Sequence, residues 1–348
     1  MLTPPSRDRV TQCQRISRAM GGIVVLGALL VMAGWMWDVP LVRNPFPGTV
    51  SMKFNTALAF LTLGSVLILA PDANVAARRR WLVAKALSAM VMIYGGFTLA
   101  EYIFAFDSGI SQALIQEPAG ALLTVHLGRP APVTAINFLL LSLALLHSPS
   151  SRSRWSQIPT LIAATMTMVT LFGYIYRVSD FYALIQGSTG IALTTVLLFM
   201  VLVVGVLATY PDHAVMRILT NPGSGGILAR RLLPVALLLP LVAEMLSQLG
   251  ITAHFYDNDD QDVVHALLMT VILVFVCLKT ARILMHVDDK RRQAEEQVLD
   301  RERKLRLLLD TVDDGIYGMD REGLTTFINP AAARMLGWRA EDLLGRAT

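Results

Sequence analysis

The sequence predicts an all-α polytopic membrane domain of eight transmembrane helices with hairpin repeats, followed by a coiled-coil helix and the first part of an α+β domain. Of the 348 residues, 54% are hydrophobic and only 16% are charged, and the mean hydropathy is +0.54. Soluble domains carry about 25% charged residues, so this composition excludes an ordinary soluble enzyme. Apolar windows recur near the length that crosses a bilayer as a helix, about 20 residues. The eight windows are 20–37, 55–70, 82–104, 133–148, 157–176, 190–209, 232–249 and 264–285.

The connections between these windows alternate between rich and poor in lysine and arginine. Cytoplasmic loops of membrane proteins carry an excess of these residues. They are found before the first window, in every second connection and after the last window: Arg7, Arg9, Arg15, Arg18, Arg78, Arg79, Arg80, Arg152, Arg154, Arg217, Arg230, Arg231, Lys279, Arg282, Lys290, Arg291 and Arg292. The pattern predicts that both termini are cytoplasmic.

Three of the windows begin with a similar motif. Thr56-Ala-Leu-Ala-Phe-Leu-Thr-Leu63 matches Thr134-Ala-Ile-Asn-Phe-Leu-Leu-Leu141 and, more loosely, Thr195-Val-Leu-Leu-Phe-Met-Val-Leu202. Two interpretations are open. In the first, each threonine caps the first turn of a helix and small residues allow close packing. In the second, the motifs mark hairpins that are repeated around a shared pocket opening outward.

Polar side chains near the outer ends of the windows are the candidates for a ligand site, because ionisable groups within a membrane are costly. The long connection that ends at Pro132 is the one outer connection large enough for structure of its own. The sensing candidates are Glu101, Tyr102, Asp107, His126, Arg129, Asn137, Arg177 and Asp180. Asn55 and Glu244 lie at similar depth, and the long connection also contains Glu117. Residues so near helix ends also pair structurally, which is the alternative role for each.

The six histidines show no metal-binding pattern, since none pairs at i, i+4 and no HExxH motif occurs. His254 and His265 flank an acidic connection that contains Asp257 and Asp262. Proton sensing, a metal or haem are the functions that such histidines offer. The sequence predicts no metal site and no catalytic residue, and it leaves any cofactor unspecified.

A charged segment without glycine or proline extends from Lys279 to about residue 310 and predicts a long helix. Its positions at alternating spacings of four and three residues suit the seam of a parallel coiled coil. The seam positions are Val287, Arg291, Ala294, Val298, Arg301, Leu305, Leu308 and Val312. Two arginines weaken the seam, which suits a rod that switches between two arrangements. We therefore predict a homodimer; a helix lying on the membrane surface is the alternative.

The end of the chain predicts a strand over 315–319, a turn over 320–323, a second strand over 324–328 and a helix from Asn329. Asn329-Pro330 is typical of a helix cap followed by proline at the first helical position. About 40 residues are too few to close a hydrophobic core. We therefore expect this domain to continue beyond Thr348.

Residues 305–346 resemble the opening of a PAS domain. The motifs that carry the resemblance are Asp314-Gly-Ile-Tyr317, the Asp-x-x-Gly turn that begins at Asp320, Phe327-Ile-Asn-Pro-Ala-Ala332, Leu336-Gly-Trp338 and Glu341-Asp-Leu-Leu-Gly-Arg346. The resemblance does not extend to the later helices and central strands that complete the PAS ligand cleft. It therefore assigns no cofactor.

The membrane region resembles the multispan input regions of bacterial PAS-containing histidine kinases and diguanylate cyclases. The resemblance is carried by Glu101-Tyr102 through Asp107-Ser-Gly-Ile110, by the repeated motif, and by Leu228-Ala-Arg-Arg-Leu-Leu-Pro234. It implies a sensory module in the bacterial inner membrane that responds to an extracytoplasmic or intramembrane stimulus. The implied output is a histidine kinase with its response regulator, or alternatively a diguanylate cyclase, with no nucleic-acid partner.

The predicted domains are a cytoplasmic segment (1–19), the eight-helix sensory domain (20–285), the coiled-coil helix (286–312) and an incomplete PAS domain (313–348). No catalytic domain is recognised among them. A membrane transporter is the alternative of another class, because repeats and polar groups within spans are also features of transporters. The apolar windows are not clearly broken in their middles, however, and the PAS resemblance favours signalling.

Overall fold

A computed structural model describes residues 7–46, 48–69, 77–118, 120–122, 124–146, 157–178, 181, 189–209, 214–221, 223–253 and 261–346. The chain divides into two compact units, Met1–Val276 and Cys277–Thr348. The elements are α1 (Arg7–Met36), α2 (Pro40–Arg43), α3 (Phe54–Leu69), α4 (Ala77–Ile103), α5 (Pro132–Leu146), α6 (Ile158–Ile175), α7 (Leu193–Thr209), α8 (Ala214–Thr220), α9 (Ser224–Thr252), α10 (Gln261–Thr311), β1 (Tyr317–Met319), β2 (Thr325–Ile328), α11 (Pro330–Leu336) and α12 (Ala340–Leu343).

The protein is mostly helical, and each predicted apolar window overlaps a helix within the described residues. Five helices are long and apolar enough to cross a membrane, over Val10–Met36, Arg79–Ile103, Ile158–Ile175, Gly225–Thr252 and Val264–Met285. The three helices that carry the repeated motif are shorter: α3, α5 and α7 have 16, 15 and 17 residues. These features are those of a membrane protein.

Six helices of the first unit form a closed ring of three hairpins. The hairpins are α1 with α3, α4 with α5, and α6 with α7. Adjacent hairpins touch through α3 and α4, through α5 and α6, and through α7 and α1, which closes the ring. The second helix of each hairpin carries the repeated motif. The repeat in the sequence is therefore a repeat in the architecture.

The repeated motif supplies the centre of this ring. Phe60, Phe138 and Phe199 are buried and contact one another, with ring centroids 5.0, 4.6 and 5.0 Å apart. In each helix the motif's threonine, phenylalanine and last leucine are spaced i, i+4, i+7 and are all buried, which places them on one helix face. The leucines are Leu63, Leu141 and Leu202. The motif therefore marks the face that each hairpin turns toward the others.

The capping role expected for the motif's threonines is wrong. Thr56, Thr134 and Thr195 are each the third residue of their helix and are buried rather than at the cap position. The backbone hydrogen bonds begin earlier, as in the bond from the Ala57 amide to the Lys53 carbonyl. The close packing by small residues, the other part of that interpretation, is present between α1 and α3.

Glycines set the contact between α1 and α3. A Cβ atom on Gly21 would lie 2.7 Å from the carbonyl oxygen of Gly64, whereas one on Gly22 meets nothing within 4 Å. Small residues let helix backbones approach closely, and packing of this kind is what holds helices together in a membrane. Gly21 therefore has no room for a side chain, although its neighbour does.

The pair Gly21→Ala and Gly22→Ala tests this contact. We expect Gly21→Ala to lower the free energy of unfolding by about 1–3 kcal/mol, because the backbone of α3 must move. Gly22→Ala should be neutral or stabilising by up to about 1 kcal/mol, since alanine is the better helix former. Thermal unfolding in detergent, followed by gel filtration, measures both. Equal midpoints for the two variants would contradict the contact.

The second unit contains the end of α10, a two-stranded sheet and two short helices. Strands β1 and β2 pair antiparallel, with Tyr317 opposite Ile328. The turn between them is closed by the Gly323 amide, which donates to the Asp320 carbonyl, and Gly323 has a positive φ of 82°. These elements follow the predicted order of strand, turn, strand and helix.

Candidate functional site

The connection between α4 and α5 covers the end of the ring at which α3, α5 and α7 begin. We call the described residues of this connection, 104–118, 120–122 and 124–131, the cap loop. It contacts all three hairpins: Asn55 Nδ2 donates to the Ser111 carbonyl at 2.9 Å, the loop continues directly from α4, and the His126 amide donates to Thr189 Oγ1 at 3.3 Å. The loop therefore ties the three hairpins together at this end.

Arg129 is the centre of a buried ion-pair cluster beneath the cap loop. Its Nε lies 3.3 Å from a carboxylate oxygen of Glu101, and both side chains are almost fully buried, at 3% and 2% exposed. The same guanidinium lies 3.4 Å from Asp107, which is 72% exposed, and donates to the Phe106 carbonyl at 3.1 Å. The other Glu101 oxygen accepts from the amide and hydroxyl of Ser108. Every charge in the cluster thus has an opposite charge beside it.

A second buried ion pair joins the first hairpin to the cap loop. Lys53 Nζ donates to Glu117 and also to Thr124 Oγ1, the latter at 2.8 Å. The other Glu117 oxygen accepts from the Gly128 amide at 2.7 Å. Burial lowers the pKa of Lys53, and the Glu117 carboxylate opposes that shift by favouring the ammonium form. Since Lys53 immediately precedes α3, this pair fixes the loop to that helix.

Five of the eight sensing candidates come together around Arg129. The Tyr102 hydroxyl donates to the Pro130 carbonyl at 3.1 Å, and its ring contacts both the Arg129 guanidinium and the His126 ring. Glu101 and Asp107 complete the group. The charges in this group are balanced by one another. We therefore interpret the group as a clamp, a set of contacts that holds the cap loop against the end of α4.

The other three candidates lie elsewhere. Asn137 is buried inside the ring, where its Nδ2 donates to Thr167 Oγ1 on α6 at 3.3 Å. Arg177 is exposed in the turn after α6, with a positive φ of 57°. Asp180 lies outside the described residues, as does His254.

A further polar cluster links α6, α9 and α10. His265 Nδ1 lies 3.3 Å from Glu244, and its Nε2 lies 3.2 Å from the Tyr176 hydroxyl. Glu244 also accepts a hydrogen bond from the side-chain Nε2 of Gln248 at 2.9 Å. Among the described residues, no three His, Cys, Asp or Glu side chains are placed to hold a metal ion.

Sequence reasoning missed Lys53 and Thr189, two residues that bond to the cap loop from outside it, as members of this polar end of the ring, where the cap loop and its ion pairs lie. The available signal was a lysine two residues before the apolar window 55–70, on the side that is poor in basic residues. Its partner Glu117 is 64 residues away, a separation that no local pattern reveals.

In the second unit, Asn329 joins the end of α10 to the sheet and to α11. Its Nδ2 donates to the carbonyls of Leu309 and Asp314 at 3.0 and 2.9 Å. Its Oδ1 accepts from the amides of Ile316 and Ala332, both at 2.9 Å, the second of which is the helix cap. One fully buried side chain thus satisfies four backbone groups.

Comparison with known families supports a specific assignment for this region. Residues 303–348 match the PAS fold. Among curated proteins and among solved structures, no significant match to the chain is found. The PAS match covers the end of α10, both strands and the two short helices after them. The chain therefore combines apolar, membrane-length helices with PAS sequence.

Proposed function

We propose that the protein is the membrane-embedded sensory input module of a bacterial signal-transduction protein. One observation carries the proposal: the single helix α10 contains the apolar span Val264–Met285 and ends within the PAS match. A helix that is continuous from an apolar span to the PAS match gives a stimulus at the span a direct covalent path to that domain. The output is a histidine kinase that acts on a response regulator, or alternatively a diguanylate cyclase.

The proposal includes eight membrane spans in the bacterial inner membrane, with both termini in the cytoplasm. The alternation of basic connections supports the orientation. The three short helices are the buried partners in the ring, where α1, α4 and α6 accompany them. A hydrophobic helix shorter than the bilayer is accommodated by modest local adjustment. The proposed domains are 1–19, 20–285, 286–312 and 313–348.

The proposal also includes a homodimer through the charged part of α10. In the single chain, the seam residues Val298, Leu305 and Leu308 are exposed. Their spacing of seven and three residues follows a heptad seam, and a second copy of the same helix buries such a seam. To transmit a signal, the stimulus must favour one of two packings of this dimer. A stimulus with equal affinity for both packings would not shift the equilibrium between them.

Cysteine crosslinking in native membranes tests the relay helix. In a background with Cys13→Ala and Cys277→Ala, we expect Leu305→Cys and Leu308→Cys to give crosslinked dimers on mild oxidation. Arg303→Cys, on the opposite helix face, is the matched control and should remain monomeric. Equal crosslinking at Leu305 and Arg303, or none at either seam position, would overturn the dimeric relay.

A further inference from the structure

A cavity of about 270 Å³ lies at the polar end of the ring, between α1, α2 and the cap loop. Trp35 contributes from α1, Arg43 from α2, Ser51 from the segment before α3, and Glu117 and Leu122 from the cap loop. An engineered cavity of about 150 Å³ accepts a benzene ring, so this one has room for a single ring with a small substituent. Because charged and apolar side chains both line it, the cavity suits a small solute rather than a lipid chain.

Arg43 is held in place by the elements around it. Its guanidinium lies over the Trp35 ring, 4.7 Å from the ring centroid, and the Trp35 indole in turn donates to the Met52 carbonyl at 2.8 Å. The backbone is equally constrained, since a Cβ atom on Gly34 of α1 would lie 2.5 Å from the Arg43 amide nitrogen. A guanidinium that is already fixed loses little conformational freedom when it binds a ligand.

The wall of the cavity that follows α2 is also formed in advance. Asn44 and Thr49 both line the cavity. Asn44 Nδ2 donates to the Thr49 carbonyl at 2.7 Å, and Asn44 Oδ1 accepts from the Thr49 hydroxyl at 3.2 Å. These two bonds close the segment between the two residues on itself, so a ligand does not have to order it.

The charge of Arg43 is the one in this lining that has no buried counter-charge. The Glu117 carboxylate is already engaged, because one oxygen accepts from Lys53 Nζ and the other from the Gly128 amide at 2.7 Å. Asp38 lies 3.4 Å from the Arg43 guanidinium, but its side chain is 88% exposed, so water screens the pair. A ligand that complements this lining is therefore an anion.

The surplus positive charge also acts on Lys53. Burial lowers the pKa of Lys53, the Glu117 carboxylate opposes that shift, and repulsion by the Arg43 guanidinium lowers the pKa further. The two cations thus share one buried carboxylate. An anion bound at Arg43 would relieve their repulsion, whereas an ammonium group in the same cavity would add to it.

We infer that this cavity binds a small organic carboxylate, whose carboxylate group pairs with the Arg43 guanidinium. The planar guanidinium matches a carboxylate through two parallel hydrogen bonds. The Trp35, Pro118 and Leu122 side chains in the lining would cover the apolar part of such a ligand, a part that an inorganic anion lacks. The role of the ligand as the stimulus rests on the proposed function, whereas its binding does not.

Binding of benzoate to the full chain in phosphatidylcholine nanodiscs tests the inference. Benzoate has one ring and one carboxylate, and benzamide has nearly the same shape without the charge. Uptake of radiolabelled probe at pH 7 is measured by equilibrium dialysis, and empty nanodiscs of the same lipid correct for partition into the bilayer. We expect one saturable benzoate site per chain, weaker binding of benzamide, and little displacement of benzoate by an equal concentration of inorganic phosphate.

Variants at the lining locate the site. Arg43→Gln should weaken benzoate binding at least about tenfold, the factor expected for hydrogen bonds to a charged group. Arg43→Lys should recover part of the affinity, because it restores the charge but not the fork of donors. Arg177→Gln is the matched control, since Arg177 is exposed after α6 and does not line the cavity. Ala121→Phe fills the cavity from the cap loop and serves if Arg43→Gln fails to fold.

Four results would overturn the site. Uptake of benzoate no greater than by empty nanodiscs would mean that the cavity binds no carboxylate of this size. Equal affinity for benzamide would remove the charge from recognition, and displacement by phosphate at equal concentration would make the site one for inorganic anions. Saturable binding that survives both Arg43→Gln and Ala121→Phe would place the probe elsewhere. None of these readouts involves α10, so each is distinct from a failure of the relay in the crosslinking experiment.

Discussion

Replacing Glu101 with glutamine is expected to lower the free energy of unfolding by about 3–5 kcal/mol. The substitution keeps the size of the side chain but leaves the guanidinium of Arg129, only 3% exposed, without its buried counter-charge. The cost is large because Asp107, the carboxylate that remains beside Arg129, is 72% exposed and only weakly replaces the buried partner, while the guanidinium cannot recover its hydration. The measurement is the fraction of protein that remains monodisperse after stepwise heating in detergent, with the wild type beside it.

Asp107→Asn is the matched control for that prediction. Asp107 lies 3.4 Å from the same guanidinium, but its side chain is 72% exposed. An exposed ion pair of this kind contributes at most about 1 kcal/mol. The double variant Glu101→Gln with Arg129→Gln should recover part of the loss, because it removes both charges. If Glu101→Gln proved as stable as Asp107→Asn, the Arg129 cluster would not be a clamp.

The polar end shows how far sequence reasoning reaches into the site. Glu101 and Arg129 stand out because ionisable residues at a span edge are costly and therefore noticeable. Their pairing, and that of Lys53 with Glu117, depends on how the cap loop folds back over the ring. Such pairing between distant positions follows from tertiary structure, so the residues could be predicted and their partners could not.

The second unit is the opposite case, because its signals are local. The expected strands 315–319 and 324–328 are found as the shorter β1 and β2, and the cap at Asn329 is where the sequence places it. A cap followed by proline depends on neighbours three residues away. Asn329 also bonds to the Leu309 carbonyl, 20 residues earlier, and that contact has no local signature.

The repeated motif lies between these cases. The repeat and a scaffold of hairpins can be predicted from the sequence. The structural role of the motif, which is to form the buried face of each helix, was not predicted. Threonine before an apolar run suggests a helix cap, yet the helices begin two residues earlier and bury it. The i, i+4, i+7 spacing of threonine, phenylalanine and leucine was the better signal, because it defines one face of a helix.

Truncating any of Phe60, Phe138 or Phe199 to alanine should therefore destabilise the ring more than any other single apolar truncation at an equivalent depth. We expect a loss of about 3 kcal/mol, the lower end of the range for soluble cores. The lower end applies because the helices separate into lipid rather than water, so the cost is mainly lost packing contacts. Phe104→Ala is the control, since Phe104 is 74% exposed, and it should be nearly neutral.

The double variant Phe60→Ala with Phe138→Ala distinguishes a shared cluster from three independent sites. The two rings lie 5.0 Å apart, and the second truncation removes contacts that the first has already broken. The combined loss should accordingly fall short of the sum of the single losses by about 0.5–1.5 kcal/mol. Simple additivity would mean that the three hairpins do not meet at these rings. In that case the motif would not form the inner face of the ring. The arrangement of three hairpins around the phenylalanine cluster would then also be wrong.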